Sequence, residues 1–297
     1  MDDSKTDSAP IPLLMNDKAG ALHTTAGADE LTRLAAENGV GVEVIATKSP
    51  DDTTQTLRRL VAGGTKRVAV AGGDGTIACA VQVLAGTGVA LGIVPQGTAN
   101  NFANALKLPL DIPSALRVLG EGVVRPIDLG RVGDLYFTES AGVGLFADAM
   151  TLQKPTDKNI LHAFYTLFRV FLSARARRVN LFIDNELHIE RAVMCEVANS
   201  FRMGYAIPVA PEAKLTDGFL DVVIVGDLSR GELLPYFNAM RKQLHRSLPK
   251  VQQLKAKQVR IESRHKMNVH CDDSVIGIAP VTIDCAPGAL CVLMERL

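Results

Sequence analysis

Residues 68–77 read VAVAGGDGTI, an apolar run that ends in glycines around one aspartate. The apolar part, Val68 to Ala71, predicts a buried strand, and a helix is predicted from about Thr76. Glycines at such a junction let backbone N–H groups approach phosphate oxygens, and the N-terminus of the helix favours negative charge. The stretch therefore predicts a phosphate-binding turn in which Asp74 holds magnesium or orients an attacking hydroxyl. A glycine turn with an aspartate helix cap explains the same residues without a ligand.

A second loop of the same kind lies at residues 97–102, which read GTANNF. It follows an apolar strand predicted at Leu91 to Val94 and opens a helix predicted from about Phe102. Because parallel strands end at one edge of a sheet, both loops are expected to face a single crevice. Thr98 and the nearby amides are candidates to donate to phosphate, whereas Phe102 is more typical of a core residue.

Length and composition favour a globular chain of two domains, since 297 residues of which 47% are hydrophobic can bury a large core. The 32 basic and 32 acidic residues balance, so net charge gives no reason to expect nucleic acid or a strongly acidic substrate. Five scattered cysteines without a CxxC pair favour reduced thiols over disulfides or zinc. The first residues lack the basic and apolar regions of a signal peptide, so the expected location is the cytoplasm.

The order of predicted elements indicates two different domains. In the first part of the chain, strands predicted at 12–16, 41–46, 68–71 and 89–94 alternate with helices, which is typical of a mainly parallel α/β domain. Strands predicted at 123–128, 135–138, 180–183, 193–198 and 220–225, with a hairpin signal at Asp184-Asn185, indicate a second domain rich in antiparallel sheet. Helices near 160–175 and 230–244 interrupt it. The apolar stretch 77–95 is interpreted as helix, turn and strand rather than a membrane span, because glycines interrupt it.

Taken together, several motifs resemble the diacylglycerol kinase catalytic domain family, which also includes sphingosine kinases and bacterial lipid kinases. They cover nearly the whole chain: MNDKAG at 15–20, GGDGT at 72–76, IVPQGTANNFANAL at 93–106, IDLG at 127–130, APEAKLTDGFLD at 210–221 and HCDDS at 270–274. Three positions depart from the family pattern. Asp17 stands where the family usually has proline. Asn101 stands where the family has aspartate, and an ungapped alignment puts Ser274 at the position of the glutamate that is proposed to deprotonate the lipid hydroxyl.

The resemblance implies a fold and a nucleotide site. The fold is an α/β N-terminal domain, parallel and three-layered like NAD kinase and phosphofructokinase, at residues 10–130, with residues 285–297 crossing back to it. A β-rich antiparallel sandwich at 131–284 would bind lipid, and catalysis is expected in the cleft between the domains. ATP is the implied nucleotide, and the residues expected to bind it are Asn16, Asp17, Lys18, Ala19, Gly20, Thr47, Gly72, Gly73, Asp74, Gly75, Thr76 and Thr98.

The resemblance also implies a structural magnesium ion in the second domain. The Asp217 side chain and the backbone carbonyl oxygens of Lys214 and Phe219 would hold it, hard oxygen ligands being what Mg²⁺ prefers. An ordinary turn at Asp217-Gly218 is the alternative.

Three hypotheses stay open for the catalytic base. Asp273 takes the place of the missing glutamate, or Asp74 and Asp128 suffice, or catalysis is weak. Because phosphoryl transfer depends mainly on positioning and charge neutralisation, the loss of one base does not exclude a kinase.

The sequence therefore predicts an ATP-dependent lipid kinase that transfers the γ-phosphoryl group to the hydroxyl of a diacylglycerol-like acceptor with the help of Mg²⁺. An NAD kinase-like enzyme is the first alternative, since that group shares the GGDGT loop. A catalytically silent nucleotide or lipid sensor is the second, motivated by Asn101 and Ser274.

A lipid substrate at a membrane surface is the expected partner, with the protein peripheral at the inner membrane surface. The candidate contacts are an apolar and basic segment at 164–178 and nine Lys or Arg residues between Arg241 and Lys266. A core helix and a solvated basic face explain these two features at least as well. Nucleic acid is not expected, because aromatic interleaving is missing. Edge strands of the second domain allow a homodimer.

Overall fold

A computed structural model describes residues 9–16, 27–152, 169–170, 174–203, 207–242 and 248–296. The chain divides into two compact units, one formed by residues 1–127 and 289–297 and the other by residues 128–288. The predicted boundaries at residues 130 and 285 lie within a few residues of these.

The first unit alternates strands and helices, as predicted. Its elements are β1 Ile11–Asn16, α1 Ala28–Glu37, β2 Val42–Thr47, α2 Pro50–Ala62, β3 Arg67–Gly72, α3 Asp74–Leu84, β4 Ala90–Pro95, α4 Asn101–Ala105 and α5 Ile112–Glu121.

These strands form one parallel sheet in the order β2, β1, β3, β4. A further strand, β17, spans Val281–Met294. Its last part joins this sheet in parallel, with Cys291 beside Ala90 and Val292 beside Leu91. The C-terminal segment thus pairs with the sheet of the first unit. Because crossovers between parallel strands are right-handed, the change of direction after β2 puts α1 on one face and α2 and α3 on the other. Contacts between α1 and α5, and between α2 and α3, agree with this three-layer arrangement.

Local signals fix the helix ends in this unit. The Ser49 hydroxyl caps α2 by accepting from the Asp52 N–H, and the Asp111 carboxylate caps α5 by accepting from the Ser114 N–H. The stretch 77–95 is helix, turn and strand, with positive φ at Gly86 and Gly88, as predicted. Two boundaries differ from expectation. Helix α3 begins two residues earlier than Thr76, and the helix predicted from Phe102 is only the short α4.

The second unit is rich in antiparallel strands. Its elements are β5 Val123–Val132, which begins in the first unit, β6 Leu135–Phe137, β7 Ser140–Gly144, α6 Leu145–Leu152, β8 Arg177–Ile183, β9 Glu186–Ala198, β10 Arg202–Met203, β11 Ile207–Pro208, β12 Leu220–Gly226, α7 Arg230–Arg241, β13 Val251–Ala256, β14 Gln258–Ser263, β15 Asn268–Cys271 and β16 Ser274–Ile278.

Strand β9 organises this unit, since it pairs with β7, β8 and β12. The predicted hairpin between β8 and β9 is confirmed, and Asp184 and Asn185 both have positive φ at its turn. Strand β12 is buried on both faces: Val222 faces a core shared with β7, β14 and β15, and Val223 faces a core shared with α6 and α7. Most of the helix predicted near 160–175 lies outside the described residues.

No helix among the described residues is long and apolar enough to cross a membrane.

Candidate active site

The glycine turn at residues 72–76 joins β3 to α3. Gly73 is the N-cap of α3, and its carbonyl accepts from the N–H groups of Thr76 and Ile77 at 3.0 and 3.1 Å. A Cβ added to Gly72 would lie 2.7 Å from the Thr76 hydroxyl oxygen. Glycine at position 72 is thus needed for the first turn of α3 to pack closely against the end of β3. The first backbone N–H groups of a helix point outward from its N-terminus.

The second loop joins β4 to α4 and is folded by Asn100. This residue has φ +47°, and its side-chain amide accepts from the Gly97 N–H at 2.8 Å and donates to the Gly97 carbonyl at 2.9 Å. An asparagine side chain that bonds to nearby backbone in this way stabilises a turn. Thr98 is exposed at the loop's tip.

The two loops contact each other, as the sequence predicts. A Cβ added to Gly97 would lie 2.5 Å from the Gly73 Cα, and a Cβ added to Gly73 would lie 3.0 Å from the Gly97 Cα. The Gln96 N–H donates to the Gly72 carbonyl at 2.9 Å. Contact this close between two backbones requires glycine at both positions.

Asp74 joins the loops through its side chain. One carboxylate oxygen, Oδ1, accepts from the Phe102 N–H at 3.2 Å, so the residue caps the first turn of α4 as well as opening α3. The side chain is half-buried. Asp74 is therefore a helix cap, and its predicted role in holding magnesium or orienting the attacking hydroxyl stays a prediction. Phe102 is a core residue, as expected.

Of the remaining nucleotide-binding candidates, Asn16 and Thr47 lie among the described residues. Asn16 ends β1 and pairs in register with Thr47 at the end of β2. The Thr47 side chain is 1% exposed, and its hydroxyl lies 3.2 Å from the Met15 carbonyl and 2.8 Å from the Thr53 hydroxyl. This threonine therefore holds β2 to β1 and α2, and its predicted contact with nucleotide stays a prediction. Asp17, Lys18, Ala19 and Gly20 lie outside the described residues.

Asn101 is buried at 2% exposure. Its amide carries no net charge, whereas the aspartate usual at this position would place a carboxylate in a site that water hardly reaches.

Asp128 is buried and bound to backbone on both carboxylate oxygens. Oδ2 accepts from the Gly218 N–H at 2.7 Å, and Oδ1 accepts from the Gly288 N–H at 2.8 Å. Its own N–H donates to the Leu215 carbonyl at 2.7 Å, and its carbonyl accepts from the Asn199 amide at 3.1 Å. The catalytic role predicted for Asp128 finds no support in these contacts, because both oxygens hold the 215–218 loop and residue 288 in place.

The hairpin of β15 and β16 carries three polar residues in a row. The Asp272 carboxylate accepts from the N–H groups of Thr138, Glu139 and Ser140, at 3.1, 2.8 and 3.3 Å. Burial of this carboxylate raises the pKa of Asp272 to about 6 although these hydrogen bonds act in the opposite direction. By contrast, Asp273 is exposed, and its Oδ1 accepts from the Ser274 hydroxyl at 2.9 Å.

A buried histidine and glutamate support the same hairpin. His270 Nε2 lies 2.8 Å from a Glu196 carboxylate oxygen, and His270 Nδ1 lies 3.1 Å from the Asp272 carbonyl. Burial alone lowers the pKa of His270, but the charge and hydrogen bond of Glu196 outweigh it, so the pKa of His270 is raised. Sequence reasoning missed this pair because its members are 74 positions apart.

The predicted magnesium ligands lie in the loop before β12. Asp217 Oδ1 accepts from the Phe219 N–H at 3.2 Å, and Asp217 Oδ2 lies 2.6 Å from the Lys255 ammonium nitrogen. The Lys255 ammonium thus contacts the Asp217 carboxylate oxygen that a metal ion would need as a ligand. No group of three or more His, Cys, Asp or Glu side chains among the described residues could hold a metal ion.

The basic cluster at 241–266 is not a uniform face. Ion pairs join Lys250 to Glu232 at 2.7 Å and Lys255 to Asp217 at 2.6 Å. An open groove of about 560 Å³ shares Lys266 with this cluster. It is lined mainly by basic residues, namely Arg175, Ala176, Arg177, Arg178, Arg191, His265 and Lys266.

The chain is similar to known protein families over most of its length. The sequence model of the diacylglycerol kinase catalytic domain matches residues 10–132, and that of the YegS C-terminal NAD kinase beta sandwich-like domain matches residues 138–294. A diacylglycerol kinase from Mycobacterium tuberculosis strain H37Rv is 31% identical over 269 residues, covering 87% of this chain and 86% of the relative. A diacylglycerol kinase from Bacillus subtilis strain 168 is 30% identical over 242 residues, covering 79% of this chain and 80% of the relative.

A solved structure agrees in fold. The crystal structure of a diacylglycerol kinase from Bacillus anthracis strain Sterne superposes with a TM-score of 0.75 at 21% identity, covering 98% of this chain and 99% of that chain. The α/β unit followed by the β-rich unit is thus a fold that this solved structure shares. The chain belongs to the diacylglycerol kinase catalytic domain family, a family of lipid kinases.

Proposed function

We propose that this protein is an ATP-dependent lipid kinase that transfers the γ-phosphoryl group of ATP to the hydroxyl of a diacylglycerol-like acceptor. The observation that carries the proposal is the contact between Gly73 and Gly97, since it brings two glycine loops and Asp74 to one edge of a parallel sheet. The names of the relatives supply the acceptor class.

In this proposal the first unit binds the nucleotide. Backbone N–H groups at the start of α3 and the exposed Thr98 donate to the phosphate oxygens, where the helix N-terminus stabilises negative charge. Asp74 Oδ2 would hold the magnesium ion of the bound nucleotide, which would supply positive charge against the phosphates. The fixed position of Asp74 is what the Phe102 hydrogen bond provides.

The second unit would supply the base. Of the three hypotheses, Asp273 agrees best with the contacts, because its carboxylate is exposed while both oxygens of Asp128 are bound to backbone. Ser274, which stands at the usual glutamate position, donates to Asp273 and so orients it. A base of this kind contributes about 10²–10⁴-fold to a rate.

The acceptor is proposed to come from a membrane surface. The groove lined by Arg175, Arg178 and Lys266 would attract anionic headgroups, each basic residue near such a surface contributing about 1 kcal/mol. This supports a peripheral position rather than an inserted one.

Mass spectrometry of a cellular lipid extract tests the proposal. The extract is incubated with pure protein, ATP and Mg²⁺, and NAD is offered in a parallel reaction. We expect a phosphorylated lipid with the wild type and none with Asp74→Asn. The matched control is Asp111→Asn, which alters another helix-capping aspartate and should leave turnover unchanged. Phosphorylated NAD would instead support an NAD kinase-like enzyme.

A silent nucleotide sensor is the second candidate, favoured by Ser274 and by the bound state of Asp128. Binding of ATP without turnover on any lipid would establish it. Ser274→Glu is the clean variant for restoring activity, because residue 274 is exposed, whereas Asn101→Asp would bury a charge.

A further inference from the structure

Strand pairing brings Lys255 to the loop that precedes β12. Lys255 on β13 lies directly opposite Asp221 on β12 in the antiparallel register. Its ammonium nitrogen is 2.6 Å from Asp217 Oδ2 and 3.4 Å from Asp221 Oδ2. One cation therefore bridges two carboxylates, the position that a divalent metal takes in many proteins.

All four oxygens of these carboxylates already accept a hydrogen bond. Asp217 Oδ1 accepts from the Phe219 N–H at 3.2 Å, and Asp221 Oδ1 accepts from the Gln253 amide at 2.8 Å. The two remaining oxygens face Lys255. A divalent ion, which needs several oxygen ligands, would have to displace the ammonium first.

The charges in this part of the fold agree with a lysine as the cation. The Asp221 side chain is 2% exposed, and a carboxylate so buried is costly unless it is paired. A second ammonium, that of Lys257, lies 5.4 Å from the centre of the Phe219 ring. Two ammonium groups close to the loop disfavour a further cation.

We propose that the Lys255 ammonium is the resident cation of the 214–221 loop and that the loop folds without a divalent metal. The family resemblance predicts Mg²⁺ at Asp217, Lys214 and Phe219, and in this chain the side chain of a neighbouring strand replaces it. The proposal does not depend on the kinase activity, since it concerns the folding of the second unit.

Thermal unfolding of the full chain tests this. With wild type, we expect the same Tm in EDTA and in millimolar Mg²⁺. With Lys255→Met, which keeps an unbranched side chain one atom shorter and removes the charge, we expect Tm to fall by at least about 2 °C in EDTA. Mg²⁺ should then restore part of the loss, because two carboxylates are left without their cation.

The matched control is Lys250→Met, which removes an exposed ion pair with a single carboxylate, Glu232, and should give no response to Mg²⁺. If Lys255→Met does not fold, Lys255→Arg keeps the charge and should retain the metal-independent Tm. A wild-type Tm that falls in EDTA and recovers with Mg²⁺ would overturn the proposal. An unchanged Tm in Lys255→Met would overturn it as well.

Discussion

The Asp74 carboxylate accepts a hydrogen bond from the Phe102 N–H at 3.2 Å, across 28 positions of sequence. Through this bond the aspartate of the first glycine loop fixes the helix that follows the second loop. The two loops are therefore one structural unit, and a substitution in either loop should alter the geometry of both.

The contact between the loops gives the first prediction. Gly97→Ala places a Cβ 2.5 Å from the Gly73 Cα, so the backbones must separate. We expect ATP affinity, measured by calorimetric titration, to fall at least about tenfold, which corresponds to about 1.4 kcal/mol. Gly231→Ala is the control, because a Cβ there meets open space. Equal ATP affinity of Gly97→Ala and wild type would contradict the role given to the contact.

The second prediction tests whether Asp128 has a structural rather than a catalytic role. Asp128→Asn replaces one acceptor oxygen by a donor group facing a backbone N–H, so a buried group loses its partner. The expected cost is about 1–3 kcal/mol, seen as a lower free energy of unfolding in denaturant titrations. Asp273→Asn, at an exposed position, should leave stability unchanged. Normal stability of Asp128→Asn with abolished turnover would instead restore the catalytic assignment.

The third prediction concerns the proposed base. On the acceptor identified from the lipid extract, Asp273→Asn should lower kcat by about 10²–10⁴-fold with little change in KM for ATP. Ser274→Ala should give a smaller loss, because it removes only the hydroxyl that orients the carboxylate. An unchanged kcat in Asp273→Asn would show that the base lies elsewhere or that none is used.

The fourth prediction is a stability that falls as pH rises. The pKa of Asp272 is raised from 3.8 to about 6, so the native state binds this proton more tightly than the unfolded chain, and stability falls between about pH 4 and pH 6. The raised pKa of His270 stabilises the native state below its ordinary value of 6.5, and this contribution is lost as pH rises through the folded value. Tm measured over a series of pH values should show the contributions of both Asp272 and His270.

Variants assign the two parts of that pH dependence. His270→Gln should flatten the Tm profile above pH 6.5 only, and Asp272→Asn should flatten it below about pH 6 while lowering Tm at every pH. A wild-type Tm that rises from pH 5 to pH 8 in a manner sensitive to these two substitutions would contradict the account.

Local sequence patterns were sufficient where neighbouring residues decide the structure. The glycines around Asp74, the cap at Ser49 and the turn at Asp184-Asn185 act over a few residues, and the predicted elements follow. The adjacency of the two loops also followed, because it needs only two parallel strands in a common sheet.

Contacts between distant strands could not be predicted in this way. Asp128 meets Gly288 across 160 positions, and Lys255 meets Asp217 across 38. Both depend on the register of paired strands, and a shift by one residue would turn each side chain to the other face. Burial of Thr47 likewise depends on α2 packing over β1 and β2. Roles carried over by resemblance are therefore least secure at such positions.

Transfer of labelled γ-phosphate from ATP to diacylglycerol, followed with wild type and Asp74→Asn side by side, tests the central claim most directly. The account predicts labelled phospholipid from the wild type and a loss of at least about 10²-fold in Asp74→Asn, with unfolding of the variant unchanged. Equal label transfer by both proteins would contradict it.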